Sequence, residues 1–140
     1  MILTSLDKYR NQGLLILRIG IGLMFIGHGL PKILGGKEVW AKIGGAMANI
    51  GINFMPEFWG FMASFTELFG GIFLTLGLFF RPATILLTFT MLIAALMHLK
   101  NGDSFNVWSH AAESAILFGS LIFIGPGIYS LDEKFKKKID

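Results

Sequence analysis

Four long apolar stretches dominate the pattern of hydrophobic and polar positions along the chain. They cover residues 13–30, 58–80, 82–99 and 111–131. Each is about 18–23 residues long, which at 1.5 Å per residue crosses a hydrocarbon core of roughly 30 Å. Backbone groups in lipid must bond within the chain, and the alternation of barrel strands is absent, so these stretches predict helices. The pattern predicts an all-α integral membrane four-helix bundle in one domain, 1–140.

Proline and glycine mark the expected ends of these spans. Pro31 is predicted to end the first helix, and Pro82 to lie in the first turn after the break between the second and third helices. Residues 101–104 read as a turn between the third and fourth helices. Pro126 lies between two glycines, which predicts that the fourth helix kinks or ends there.

The segment 39–54 has a weaker pattern. Its apolar residues recur at helical spacing, while Lys42 and Asn49 lie off that stripe. The spacing predicts a short interfacial or re-entrant helix between helices 1 and 2. A loop packed against the bundle is the open alternative.

Composition agrees with a membrane protein. Hydrophobic residues make up 54% of the chain and charged residues 15%, against about 25% charged residues in soluble domains. The absence of cysteine excludes disulfides, thiolate metal sites, iron–sulfur clusters and covalently attached haem. Of the 12 basic residues, 4 lie in the last seven positions, so the net charge of +3 gives no indication of nucleic-acid binding.

The distribution of basic residues predicts an orientation in the membrane. With four spans both termini share one side, which carries seven Lys and Arg against four on the other. The more basic side faces the cytoplasm, so 132–140 is expected to be a basic cytoplasmic tail that Ser130 or Asp132 caps. A cleaved signal peptide is the alternative for the first span, but no small-x-small cleavage site follows it.

Two charged residues inside the predicted spans are candidate functional groups, because such residues are costly in lipid. Arg18 lies about one turn inside the first span, and Glu67 lies near the middle of the second. Arg18, Gly22, Gly29 and Lys32 share one face of helix 1, where the glycines let another helix approach closely. Helices 1 and 2 are therefore predicted to pack with Arg18 reaching towards Glu67. A pair that only fixes helix register is the open alternative.

Further titratable side chains fall at the outer ends of helices 1, 3 and 4. They are His28, His98, His110 and Glu113. Above Glu67 they predict an outward-facing polar pocket, in which a histidine hydrogen-bonds a quinone oxygen and the buried acid relays a proton. Boundary residues at the membrane interface, axial haem ligands and a metal site built from these side chains are the alternatives.

Two motifs resemble the DoxX family of small membrane proteins. RIGIGLMFIGHGLPK, residues 18–32, is similar to the opening motif of the family, and ELFGGIFLTLGLFFRPA, residues 67–83, to its second signature. The resemblance extends over about 14–128. The segment that links helices 1 and 2 departs from the Gly-x-Pro that is usual in the family, because Gly51 and Pro56 are five positions apart.

The resemblance implies four transmembrane helices in a prokaryotic cytoplasmic membrane. Relatives are linked to quinone-coupled oxidation of sulfur compounds and to membrane redox or oxidative-stress complexes. The resemblance implies no catalytic role for the positions that match the two motifs. Those positions are Arg18, His28, Gly29, Lys32, Glu67, Gly70 and Gly71.

The sequence is therefore predicted to encode a redox-associated membrane subunit that binds a quinone or similar lipophilic ring. If the protein is an enzyme, it is expected to belong to a quinone-linked oxidoreductase complex. Glu67 is the candidate catalytic proton relay and Arg18 its electrostatic tuner. The candidate cofactor contacts are His28, Lys32, His98, His110 and Glu113. A scaffold that recruits partner proteins to the bilayer is the alternative, followed by a small-solute or proton carrier; homo-oligomerisation is left open.

Overall fold

The computed structural model describes residues 3–139. The ends of the predicted domain 1–140 and of the predicted tail 132–140 therefore lie outside the described residues. Within 3–139 the regular elements are all helical. They are α1 (Arg10–Leu34), α2 (Gly36–Gly44), α3 (Pro56–Leu76), α4 (Phe80–Lys100), α5 (Phe105–Ile124) and α6 (Leu131–Ile139), with 3₁₀ helices at Thr4–Tyr9 and Gly45–Ile50.

Four helical segments are long and apolar enough to cross a membrane. They are Thr4–Leu34, Pro56–Leu76, Phe80–Lys100 and Phe105–Ile124. The predicted all-α fold with four apolar spans is thereby confirmed. The short element after the first span is α2 with the 3₁₀ helix that follows it. It covers residues 36–50, which overlaps the segment predicted at 39–54 but begins three residues earlier.

The bundle is organised around α3, which packs against α1 on one side and α4 on the other, while α5 packs on α4. Phe25 of α1 meets Phe118 of α5 edge to face, with 4.8 Å between ring centroids. This contact closes the bundle between its first and last spans. The buried core residues are Phe25, Leu74, Phe80, Leu87, Met91, Ala115, Phe118 and Leu121. We call the end where α1 begins and α5 ends the terminal end, and the other the opposite end.

Glycines set the antiparallel register of α1 and α3. A Cβ at Gly22 would meet the backbone of Gly71 and Thr75, and one at Gly29 would meet the backbone of Leu68. The two backbones therefore approach closely, as small residues allow between membrane helices. This approach places the last turns of α1 beside the middle of α3.

The first half of α3 is covered by α2. A Cβ at Gly60 would overlap the backbone of Trp40, and one at Gly44 would overlap the backbone of Pro56. Helix α2 therefore continues along α3 from where α1 stops to where α3 begins. Together α1 and α2 form an interrupted helix along α3, broken at Gly35 and at Gly36, whose φ is +74°.

Two predicted helix ends are wrong. Helix α1 runs through Pro31 to Leu34, because a proline removes only one N–H from the ladder and membrane helices tolerate that loss. The break between α3 and α4 covers residues 77–79, before the predicted break at Arg81 and Pro82. Gly77 is left-handed (φ +64°), and the Leu78 N–H donates to the Phe73 carbonyl, which is a Schellman ending.

The predicted turn at 101–104 is confirmed, and so is the predicted end of the last span near Pro126. Helix α4 ends at Lys100, and α5 begins at Phe105, six residues before the predicted start at 111. It ends at Ile124, ahead of Pro126. The polar residues at the start of α5 lowered its apolar signal but did not prevent a helix.

The C-terminal helix α6 is joined to the start of α4 by a carboxylate. Asp132 accepts the Phe79 and Phe80 backbone N–H groups at 2.9 Å each. Ser130 caps α6 by accepting the Glu133 N–H at 3.2 Å. The two predicted capping residues therefore serve different helices, Ser130 its own and Asp132 the neighbouring α4.

We expect Asp132→Ala to destabilise the protein by about 1–2 kcal/mol, because the first N–H groups of α4 lose their acceptor. The measurement is the midpoint of unfolding in detergent, together with the rate of proteolytic cleavage before α6. Glu133→Ala is the control, since the Glu133 carboxylate makes no hydrogen bond within residues 3–139. Equal effects of the two substitutions would contradict this account.

Candidate functional site

The candidate site is an ion pair between Lys32 of α1 and Glu67 of α3. The Lys32 ammonium lies 2.6 and 2.8 Å from the two carboxylate oxygens of Glu67. The Lys32 side chain is 37% exposed, whereas that of Glu67 is 5% exposed. The carboxylate is thus enclosed by the bundle, whereas part of the Lys32 side chain lies at the surface.

The depth of this pair follows from its place on α3. Glu67 is eleven residues after Pro56 and nine before Leu76, the two ends of the helix. At 1.5 Å per residue it lies about 16 Å from the opposite end, near the middle of the span. A carboxylate at that depth requires a partner, because an unpaired charge in hydrocarbon is costly.

The break between α1 and α2 supports Lys32 in two ways. Lys32 lies in the last turn of α1, where a cation is favoured by the partial negative charge of the helix C-terminus. The indole Nε1 of Trp40 in α2 donates to the Lys32 carbonyl at 3.0 Å. The same carbonyl accepts the Gly35 N–H at 3.3 Å, so the indole adds a second donor at the end of the helix.

The predicted contact of Arg18 with Glu67 is wrong. The Arg18 Nη atoms donate to the carbonyls of Pro126 and Tyr129 at 2.7 and 2.8 Å. Arg18 lies against Gly77, ten residues beyond Glu67 and about 15 Å further along α3. The register of α1 and α3 therefore pairs Glu67 with Lys32, whereas Arg18 is hydrogen-bonded to the loop after α5.

None of the four other titratable residues of the predicted pocket is hydrogen-bonded or ion-paired to Lys32 or Glu67 within residues 3–139. His98 Nδ1 contacts the Asp103 carboxylate at 2.7 Å in the turn after α4. His28 is exposed on α1, edge-on to the Phe25 ring, and His110 and Glu113 are exposed on α5. In the described part of the chain no three His, Asp or Glu side chains are grouped to hold a metal ion.

Sequence reasoning found Lys32 and Glu67 but did not join them. The face shared by Arg18, Gly22, Gly29 and Lys32 was the signal that could have done so. Ending the first helix at Pro31 placed Lys32 outside the span and left Arg18 as the partner. Trp40 was missed, because its bond to Lys32 depends on the break in the helix.

Four apolar spans around a partly buried ion pair are typical of a small multi-pass membrane protein. The DoxX family model matches residues 13–99. The chain therefore belongs to the DoxX family, as its two motifs indicated.

Two relatives extend the similarity over nearly the whole chain. An uncharacterized protein of Haemophilus influenzae is 34% identical over 142 residues, which cover 97% of this chain and all of that protein. The inner membrane protein YphA of Escherichia coli is 32% identical over 130 residues, or 86% of this chain and 89% of the relative. No solved structure matches the chain.

Proposed function

We propose that this DoxX protein is a redox-associated subunit that binds a quinone or similar lipophilic ring beside the Lys32–Glu67 pair. The observation that carries the proposal is the combination of a reachable ammonium with an enclosed carboxylate near the middle of the bundle. We place the protein in a prokaryotic cytoplasmic membrane with both termini in the cytoplasm, from its basic residues and from the inner-membrane name of one relative.

The pair has the groups that quinone chemistry requires. An ammonium donates a charged hydrogen bond to a ring carbonyl oxygen, and a carboxylate in contact with that ammonium takes up or returns the proton when the ring changes oxidation state. The electrons pass to or from a partner oxidoreductase in this proposal. Glu67 thereby keeps the predicted role of proton relay, with Lys32 in place of Arg18 as its electrostatic partner.

His28 is the second group on α1 that a ligand beside Lys32 could contact. It precedes Lys32 by four residues, so the two side chains lie one above the other on the helix surface, and its ring is exposed. We therefore retain His28 as a ring contact. His98, His110 and Glu113 have no part in this form of the proposal, because they lie on helices other than α1 and make no hydrogen bond to Lys32 or Glu67 within residues 3–139.

Titration with decyl-ubiquinone tests the proposal. Trp40 is the reporter, because its indole is bonded to the Lys32 carbonyl; Trp59 and Trp108 are replaced by Phe. We expect removal of the pair, Lys32→Met with Glu67→Leu, to raise the Kd about tenfold by deleting a charged hydrogen bond. Lys42→Met, an exposed cation of α2, is the control and should leave the Kd unchanged.

The contrary results are specific. If the variant without the pair binds the quinone as tightly as the wild type, the site lies elsewhere. A wild type whose Trp40 fluorescence is not quenched by the quinone, and whose solvent extract contains no quinone, would favour the scaffold alternative. The ion pair would then have only a structural role. Glu67→Gln is the further arm: it keeps a hydrogen-bonding side chain but no ionisable proton, so binding should persist while quinone-linked turnover in membranes falls.

A further inference from the structure

A second polar site lies at the terminal end of the bundle, far from Lys32 and Glu67. It is a cavity of about 470 Å³ between α1, the end of α3, the loop before α6 and α6 itself. Arg18 and the two α6 lysines Lys134 and Lys137 line it, with Glu133 as the one acidic side chain in its wall. Three cations against one anion leave the cavity with an excess of positive charge.

Arg18 is the unusual member of this wall. It is 1% exposed, and its guanidinium bonds only to two neutral carbonyls, those of Pro126 and Tyr129. Its Nε is buried without an acceptor, and Arg18 forms no ion pair within residues 3–139. Buried charges are normally paired, and the carboxylate of Asp132 nearby is already bonded to the start of α4.

The position of the cavity also favours an anion. Arg18 lies level with Gly77, one residue beyond the end of α3, where the apolar span gives way to the polar region of a membrane. Phosphate groups of lipids occupy that depth, and clustered Lys and Arg beside a span attract them.

We propose that this cavity binds a phosphate oxyanion, carried by an anionic phospholipid headgroup or free in solution. Arg18 supplies a fixed positive charge from α1, and Lys134 and Lys137 contact the oxyanion from α6. The bound group then adds a counter-charge to that of Asp132, with which Arg18 makes no ion pair, and holds α6 against α1. This site is independent of the proposed quinone function.

The test compares two pairs of lysine substitutions on the same helix. Lys134→Gln with Lys137→Gln removes the two lysines of the cavity wall. Lys136→Gln with Lys138→Gln removes the same charge from positions of α6 that do not line the cavity. Arg18 is left unchanged because it holds the loop after α5. The probes are phosphatidylglycerol, phosphatidylcholine and inorganic phosphate, added to the purified protein in detergent, and the readouts are the unfolding midpoint and the Kd.

We expect phosphatidylglycerol to raise the unfolding midpoint of the wild type and of the Lys136/Lys138 variant, and the Kd to rise about tenfold in the Lys134/Lys137 variant. Phosphatidylcholine should have a weak effect. If inorganic phosphate gives the same shift, the oxyanion is the free ion; if only phosphatidylglycerol does, it is the headgroup. Equal losses of affinity in the two variants would contradict the proposed site. So would an unfolding midpoint of the wild type that neither phosphatidylglycerol nor inorganic phosphate raises.

Discussion

Substitution of Lys32 by Met is expected to destabilise the protein by about 3 kcal/mol or more, because it leaves the Glu67 carboxylate buried without a counter-charge. Glu67→Leu should cost less. The Lys32 side chain is 37% exposed, against 5% for Glu67, so an ammonium without its partner can turn outward. The order of the two effects therefore follows from the difference in burial.

A double-mutant cycle measures this coupling. Lys32→Met with Glu67→Leu should lie within about 1 kcal/mol of the wild type, since replacing a whole buried pair by apolar side chains is often neutral. Equilibrium unfolding in mixed micelles gives the three free-energy differences. Additive single effects would show that the two residues do not act as a pair. A folded double variant is also what the quinone titration requires, because it separates loss of the ligand from loss of the fold.

Gly29→Ala is expected to destabilise the protein by about 2–3 kcal/mol, because the new Cβ would lie within 2.9 Å of the Leu68 Cα and the Glu67 carbonyl carbon. Neither backbone atom can move unless α1 and α3 separate. The separation would also lengthen the contact between Lys32 and Glu67, which adds to the loss. Gly22→Ala should behave similarly, since Gly71 and Thr75 oppose it in the same way.

Helix α1 provides its own controls for this prediction. Gly20 and Gly27 are exposed, and a Cβ at either meets nothing within 4 Å. Gly20→Ala and Gly27→Ala should leave the unfolding midpoint unchanged or slightly raised, because alanine favours a helix over glycine. The same unfolding measurement compares all four variants. A large loss at Gly27 equal to that at Gly29 would mean that the glycines act through α1 itself and not through its contact with α3.

The candidate site shows where sequence reasoning reached its limit. The shared face of α1 could be predicted from the sequence, since Arg18, Gly22, Gly29 and Lys32 recur at helical spacing. That spacing defines a face, but it leaves open which level of that face meets Glu67. The choice depended on whether α1 continues past Pro31, and local signals favoured the wrong end.

Local chemistry alone determined that this chain forms four apolar helices, because the free energy of placing each span in lipid depends on its own residues. The two DoxX motifs were likewise readable along the chain. Only the tertiary structure decided which charges meet. Close contacts at Gly22 and Gly29 set the level of α1 against α3, and this register brings Lys32 to Glu67 and Arg18 to the loop after α5. Such contacts join residues 35 and 108 positions apart, and periodicity within one helix carries no information about the height of its neighbour.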